Sequence, residues 1–448
     1  MEKLIISVSG IRGIYGTSLT QKHAFDFGKS FGFWAKNKNI IVGQDTRLSG
    51  SDLKSALVSG LLVAGKNVYD AGIVPTPALT WFVEKHNNFC GAIITASHNP
   101  VEYNGIKLIS HSGTFLNPEE FSQLMKIYKG LRKRRERKHG IYYENFSIME
   151  EYFSSLLNLI DVDAIKRKKF KVAVDPVQGV GSVFTKHFLE KLGCSVKMIN
   201  DAPVGVFSRN PEPRPENLIS LAECVRKESC DIGFAQDPDC DRLAVVADGG
   251  KIISEEKSTA IAIDWMLQKK KGPVVVNLVT TRLVDDIGKQ NNVDVFRTKV
   301  GEVYVVEEMK RVNAAAGGEG NGGIIYPDFH YGRDSFAGMA IILELIAKKE
   351  KSFSEIEKDF CNYYIVKHAI RYPSEKIDVL FRKAEKIFSD GKISYTDGIK
   401  IDFENRWVSI RRSGTESIVR IFAEAKTEKE ATTLINRLLC AISSRKSF

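Results

Sequence analysis

A rhythm that recurs three times constrains this chain more than any other feature. Each copy opens with a short β-rich run that ends in a polar loop: NIIVGQDTR (39–47), FKVAVDPVQG (170–179) and PVVVNLVTTR (273–282). A helix-like segment then leads into a second apolar run: NVYDAG (67–72), SVKMIND (195–201) and VDVFRTK (293–299). A third run follows and ends in a loop of special composition: GAIITASHNP (91–100), CDIGFAQDPDCDR (230–242) and AAAGGEGNGG (314–323). Strands alternating with helical segments specify α/β layering with largely parallel pairing. The same strand–helix–strand–strand pattern in triplicate predicts three related α/β units. In such sheets ligands gather at the carboxyl ends of the strands, where these polar loops fall.

After about residue 365 the rhythm changes. A helix-like SEKIDVLFRKAEKIFSD precedes the strand-like DGIKIDF, RWVSIRR and VRIFAEA, and an amphipathic TEKEATTLINRLLCAISS follows, which reads as a separate α+β domain. The charged LRKRRERKHG (131–140) and the GG turn in ADGGKIISEEK (247–257) mark the earlier divisions. The expected domains are therefore 1–140, 141–250, 251–365 and 366–448. At roughly 150 residues per domain a length of 448 suggests about three domains, with two or four also reasonable, and 43% hydrophobic content excludes a disordered chain. No uninterrupted apolar stretch reaches the ~18 residues of a membrane span, and the most apolar helix candidate (336–347) is broken by Glu344. The start, MEKLIISVSG, lacks the basic and apolar regions of a signal peptide. Seven scattered cysteines form no CxxC pair and no zinc spacing. A soluble cytoplasmic protein with reduced thiols is expected.

Four constellations carry chemistry. In TASHNP (95–100), Ser97 stands at a strand terminus, where a serine is either a nucleophile or phosphoryl carrier, or an ordinary turn-capping residue. Adjacent Ser and His cannot form a hydrolase triad, and no GxSxG elbow occurs. In DPDCDR (237–242), Asp237, Asp239 and Asp241 repel one another unless a divalent cation, or plain solvent at an acidic turn, offsets their charge. An EF-hand is excluded, with Arg242 at the sixth position and Asp248 at the twelfth, and Cys240 is a poor ligand for a hard cation.

GGEGNGG (317–323) contains GxGxxG but is followed by IIYP rather than a helix, so a dinucleotide site is excluded. It offers Glu319 and Asn321 to a polar ligand, unless it is a flexible surface loop. RRSGTES (411–417) lies between two strands and combines arginine, hydroxyls and a glycine in an anion cradle, without the GxxxxGK[ST] of a P-loop. SGIRG (9–13) and NGIK (104–107) add Arg12 and Lys107, each of which is surface charge by default.

Taken together and in this order, TASHNP, NGIK, DPDCDR, GEGNGG and RRSGTES resemble the phosphoserine loop, adjacent lysine, metal loop, sugar loop and phosphate loop of the α-D-phosphohexomutase family. The resemblance covers essentially the whole chain. It implies three related mixed α/β domains and a smaller C-terminal α+β domain like the TATA-binding-protein fold, around a central active-site cleft. It implies a phosphoryl group on Ser97, and Mg²⁺ held by Asp237, Asp239, Asp241 and an oxygen on Ser97. Arg12, Lys107 and Arg242 would surround the transferring group, with Lys107 or His98 moving the proton. Glu319 and Asn321 would hold sugar hydroxyls. Arg411, Ser413, Gly414 and Thr415, helped by Arg420, would hold the substrate's other phosphate.

The implied reaction interconverts hexose 6-phosphate and hexose 1-phosphate through a 1,6-bisphosphate, which is also the implied activator. RxSGTE resembles the loop common in phosphoglucosamine mutases, so glucosamine phosphate is the expected substrate, with phosphomannomutase/phosphoglucomutase activity the alternative. The sugar loop departs from the GEQSGH of bacterial phosphoglucosamine mutases at Asn321 and Gly323. A net charge of +10 raises nucleic acid as a partner, but RKRRERK (132–138) and KRKKFK (166–171) are charge runs of the usual solvated kind, without a series of interleaved aromatics suited to base stacking. No nucleic-acid or membrane partner is expected, and the chain is expected to be a monomer or homodimer. Intact Ser97, aspartates and Arg411 argue against a catalytically dead sugar-phosphate binder.

Overall fold

Runs that are apolar along their whole length become strands covered on both faces, as the strands Phe89–Ile94, Ile232–Gln236 and Val274–Asn277 are buried at every position. The computed structural model describes residues 3–135, 137–373, 376–412 and 418–443, which form four sheets.

Three of these sheets share one core order. Strand Asn39–Gln44 lies parallel between Asn67–Ile73 and Phe89–Ile94. Strand Lys171–Asp175 lies in the same way between Ser195–Met198 and Ile232–Gln236. Val274–Asn277 repeats the arrangement between Val295–Thr298 and Ala316–Glu319. In every copy the third strand turns back into an antiparallel fourth: Tyr103–Ile109, Leu243–Ala247 and Gly323–Ile325. The triplicate rhythm is therefore a triplicate fold, mixed rather than wholly parallel.

Each copy also contains a helix that the rhythm omitted, between its second and third strands: Thr76–Lys85, Ile219–Lys227 and Glu302–Val312. The topology requires it, because a chain that leaves one parallel neighbour for another must cross over the sheet. The sheets also run a few residues past the expected divisions. Strand Tyr142–Tyr143 pairs with Asn67–Ile73 in the first sheet, and Lys251–Ile253 pairs with Leu243–Ala247 in the second.

The fourth sheet is antiparallel throughout, in the order Tyr364–Ile370, Val419–Ala425, Trp407–Arg412, Ile399–Asp402, Lys392–Ser394. Its apolar core, which includes Leu380, Phe388, Ile401, Ile421 and Leu438, is its own. A different cluster is continuous through the first three units, from Ile41 through Phe188, Phe234 and Ile261 to Ile356. Those units thus share buried apolar surface, whereas the C-terminal unit meets them through polar contacts such as Glu424 with the Arg282 amide (3.0 Å).

Helix Ser335–Lys349 is buried through Ala347, and its Glu344 is satisfied internally by the Asp161 amide (2.8 Å), Trp265 Nε1 (2.9 Å) and Lys269 Nζ (2.7 Å). Among the described residues no helix is long and apolar enough to cross a membrane. All seven cysteines are free thiols.

Candidate active site

The turns between the third and fourth strands of the three repeated units meet at one cleft of about 400 Å³. These are equivalent hairpins, one per copy, and each presents the carboxyl end of its third strand. They carry TASHNP, DPDCDR and GEGNGG, respectively.

The serine turn is held from beneath. Thr95 donates to Asp45 (2.7 Å) and accepts the Ser97 amide (2.9 Å). The Arg47 guanidinium donates to the carbonyls of Ser97, Asn99 and Pro100 (2.7 Å each) and of Tyr103 (3.0 Å), and its Nε pairs with Asp45 (3.1 Å). These bonds hold Ser97 at φ +49°, a left-handed conformation that is costly for a side-chain-bearing residue and is kept only where surroundings enforce it. Burial pushes the Asp45 carboxyl up, with Arg47 and Thr95 pulling the other way. From this turn Ser97 Oγ donates to Asp237 Oδ2 (2.8 Å) and lies 3.3 Å from His98 Nδ1. Burial, reinforced by Arg242, Arg12, Arg333 and Arg420, lowers His98 well below the usual histidine range.

Arg12 and Lys107 are not surface charge. Arg12 lies on strand Gly10–Ile14 and donates to Asn99 Oδ1 (2.6 Å). Burial lowers its pKa to about 10, which leaves it cationic at neutral pH. The strand can approach because residue 10 is glycine: a Cβ there would sit 1.9 Å from the Ile106 carbonyl oxygen, at φ +99°. Lys107, on strand Tyr103–Ile109, donates to Asp239 Oδ2 (2.7 Å) and lies 3.4 Å from Asp241 Oδ2. Burial opposes its charge, but the two aspartates outweigh it and raise its pKa.

Asp237, Asp239 and Asp241 are buried, and each offers an oxygen within 4.8 Å of the others. Asp237 Oδ1 accepts the amides of Asp241 and Arg242 (3.1 Å each), which closes the turn. Cys240, at φ +62°, packs into the large apolar cluster. Asp239 Oδ1 and Asp241 Oδ1 are buried with no hydrogen-bond partner, which a bound cation would supply. An all-oxygen donor set with two such orphaned atoms fits a hard divalent cation such as Mg²⁺. Burial beside two further carboxylates pushes Asp237 well up, whereas Lys107 overcomes burial to hold Asp239 down. Arg242 donates to Glu212 Oε1 (3.0 Å), and its Nε lies 3.8 Å from Asp241 Oδ1.

In the glycine-rich turn, Glu319 accepts from Asn277 Nδ2 (2.9 Å) and the Gly301 amide (3.1 Å), and pairs with Arg333 (3.2 Å). Asn321 lines the cleft and accepts the Gly323 amide (3.2 Å). The turn leads into a strand and is largely buried, so neither a dinucleotide fold nor a flexible surface loop describes it. Arg411 and Arg420 face each other in register on adjacent strands of the C-terminal sheet and both line the cleft. Arg411 lies 3.6 Å from Asp397, and its buried Nε has no hydrogen-bond partner. Ser413, Gly414 and Thr415 lie outside the described residues.

Every described candidate except the three aspartates lines the cleft, and the aspartates lie directly behind Ser97 and Lys107. Several neighbours of the candidate residues carried no motif. Thr76 donates to Asp239 Oδ2 (2.7 Å) from the helix that the rhythm omitted. Arg333 reaches back from ten residues beyond Gly323, at an isolated bridge to Ile325. For Glu212 the available signal was the proline-rich PEPRPEN; for Asp45 and Arg47 it was the polar loop DTR that ends the first repeated strand.

Four family models match consecutive parts of the chain. They describe the phosphoglucomutase/phosphomannomutase alpha/beta/alpha domains I (residues 3–135), II (150–250) and III (254–364) and the C-terminal domain (370–439). The chain is 40% identical over 431 residues to the phosphoglucomutase/phosphomannomutase of Thermococcus kodakarensis, covering 94% of each. It is 33% identical over 450 residues to the phosphoglucosamine/phosphogalactosamine mutase of Sulfurisphaera tokodaii, covering 97% of this chain and 98% of that protein. A crystal structure of a putative phosphomannomutase from Thermus thermophilus superposes with a TM-score of 0.85 at 25% identity, covering 98% and 99% of the two chains.

Proposed function

The chain belongs to the phosphoglucomutase/phosphomannomutase family, and from that premise we propose how it moves a phosphoryl group between the two ends of a hexose. It is an α-D-phosphohexomutase, an isomerase that acts as an intramolecular phosphotransferase. Phosphorylated Ser97 gives its phosphoryl group to the free hydroxyl of a hexose monophosphate. The Ser97 Oγ–P bond breaks, the sugar oxygen forms the new O–P bond, and the hydroxyl proton passes by way of a side chain of the cleft to the departing Ser97 oxygen. The resulting hexose 1,6-bisphosphate turns over and returns its other phosphate to Ser97. Hexose 6-phosphate and hexose 1-phosphate thereby interconvert, and the same bisphosphate supplied from outside primes an unphosphorylated serine.

Such transfer requires alignment and charge neutralisation more than covalent chemistry. Asp237, Asp239 and Asp241, with an oxygen on Ser97, would hold Mg²⁺, which when bound neutralises negative charge on the phosphoryl oxygens. Arg12 and Arg242 add fixed positive charge around Ser97. His98, beside Ser97 Oγ, and Lys107, on the aspartates, are the two side chains placed to exchange the proton. Glu319 and Asn321 bind sugar hydroxyls, and Arg411 and Arg420 hold the phosphate that is not being transferred. Ser413, Gly414 and Thr415 complete that cradle by their likeness to the family loop. Walls drawn from all four units exclude water, which would otherwise take the phosphoryl group.

The observation that carries this reading is Ser97 itself, held in a strained conformation with its Oγ 2.8 Å from the aspartate cluster. Incubation with glucose 1,6-bisphosphate is expected to add one phosphoryl group to the intact protein. Ser97→Ala is expected to abolish both that mass increase and mutase turnover; retained turnover in the variant refutes the mechanism.

For the sugar, the higher identity to the Thermococcus kodakarensis protein favours glucose and mannose phosphates. Glucosamine phosphate is the second reading, favoured by the RxSGTE pattern and the Sulfurisphaera tokodaii relative. Comparing kcat/KM for the three phosphates decides between them. The four-domain division is retained, with its first two boundaries moved past Tyr143 and Ile253 to follow the sheets. Seven free thiols support the expected cytoplasmic setting.

A further inference from the structure

On the premise that the chain works as the phosphohexomutase described above, we propose that Arg333 is a positioning residue that ties the aspartate turn to the sugar turn. Its guanidinium meets three carboxylates from three separate segments. One NH2 donates to Asp241 Oδ2 (2.6 Å), Nε donates to Glu302 Oε2 (2.9 Å), and NH1 lies 3.2 Å from Glu319 Oε2. The arginine side chain is 10% exposed, and the three acids are 1%, 10% and 4% exposed, so solvent does little to screen these pairs. A planar fork with five N–H donors serves three acceptors at once, which a lysine ammonium on a flexible stem does less rigidly.

Room for that fork comes from Gly323. A Cβ at this position would sit 2.2 Å from Arg333 Cδ and 2.8 Å from Cγ. The backbone of Gly323 is not left-handed, so the glycine serves the passage of the arginine stem rather than a turn. Gly323 is also one of the positions where the sugar loop departs from GEQSGH.

Arg333 acts in opposite directions at the two ends. At Glu319 it orients a carboxylate that faces the sugar, so its loss frees Glu319 to repel Glu302 and weakens substrate binding. At Asp241 it occupies an oxygen and cancels negative charge in the aspartate cluster, so its loss strengthens the attraction for a divalent cation. A residue that merely kept the fold intact would weaken both.

The test uses the full-length unphosphorylated protein, with Mn²⁺ binding read by electron paramagnetic resonance and glucose 6-phosphate binding read by calorimetry. Arg333→Met is expected to raise the glucose 6-phosphate Kd by about tenfold or more and to lower the Mn²⁺ Kd several-fold, the scale of one charge-assisted bond. Gly323→Ala, which displaces the arginine stem without removing its charge from the chain, is expected to weaken glucose 6-phosphate binding in the same direction. The double variant should be no worse for the sugar phosphate than Arg333→Met alone, because both substitutions break the same connection. Parallel loss of both affinities, unchanged affinities or additive effects of the two substitutions on the sugar phosphate overturn the proposal. Neither binding measurement requires turnover, so failure of the Ser97 mechanism and failure of this role are read separately.

Discussion

Replacing Arg47 by methionine tests whether a buried guanidinium is what holds Ser97 in its strained conformation. Methionine fills the path of the aliphatic stem but has no donors. The substitution leaves Asp45 without its ion-pair partner and removes the donors to the carbonyls of Ser97, Asn99, Pro100 and Tyr103. Both members of the pair are fully buried at the side chain, and removing one partner of such a pair costs about 3–5 kcal/mol. Asp45 already has a raised pKa and can take up a proton, which places the expected cost toward the lower end. At roughly 1.4 kcal/mol per power of ten, opening of the 97–103 turn should become at least about a hundredfold more favourable.

Hydrogen exchange is the appropriate assay, because a four-unit chain has no single unfolding equilibrium. The amides of Asn99 and Tyr103, bonded to the carbonyls of Ala96 and Pro100 (3.1 Å each), should lose about two powers of ten in protection. Amides of the central strand Asn39–Gln44 should change by less than about tenfold, since its ladder to both neighbours is untouched. Mutase turnover should fall with the loop protection. If Asn99 and Tyr103 keep their protection to within about threefold, Arg47 is not what holds Ser97, and the reasoning fails.

Glu424 is buried and accepts both the Arg282 amide and Trp407 Nε1 (2.8 Å), so Glu424→Ala strands a part-buried and a buried donor, the latter at about 1–3 kcal/mol. Exchange of the Arg282 amide should accelerate by at least about tenfold; an unchanged rate would show that Glu424 does not dock the C-terminal unit. Burial pushes Glu256 up to about 8, with Lys367 opposing and Glu255 adding to the shift. The folded chain therefore holds an extra proton from about pH 4.5 to 8, and stability from this group is lost as pH rises through that window. Glu256→Gln should flatten the pH dependence of the protection factor of the Thr281 amide, which donates to Glu256 Oε2 (3.0 Å), between about pH 5 and 8, and a superimposable profile would contradict the assignment. Chelator-treated protein should lose mutase turnover and recover it with Mg²⁺. Asp239→Asn should raise the Mn²⁺ Kd by about tenfold or more, and an unchanged Kd would exclude that aspartate as a ligand.

Much of the architecture was legible because strand burial and turn chemistry are local. Three apolar runs per unit, each closed by a polar loop, specified the strands, and the loops after the third strands specified Ser97, the three aspartates and Glu319. The antiparallel fourth strands and the crossover helices were less legible. Thr76–Lys85, for example, is buried at eight of its ten positions and so lacks the polar face that marks a helix in sequence. Taken singly, Lys107 and Arg12 read as surface charge, the ordinary fate of a lone cation; only the ordered set of motifs pointed to them, and the sheet places one on the aspartates and the other against Asn99.

By itself, then, the sequence determined the candidate reacting groups and the repeated scaffold that presents them, since both are written within a few residues of each motif. Only the tertiary structure decided which charges meet. Thr76 reaches Asp239 across 163 residues, Ser97 reaches Asp237 across 140, and Arg333 reaches Asp241 across 92. Such contacts arise from packing three hairpins against one another around a shared apolar core, and no local pattern encodes a distance between side chains that meet only when that core closes.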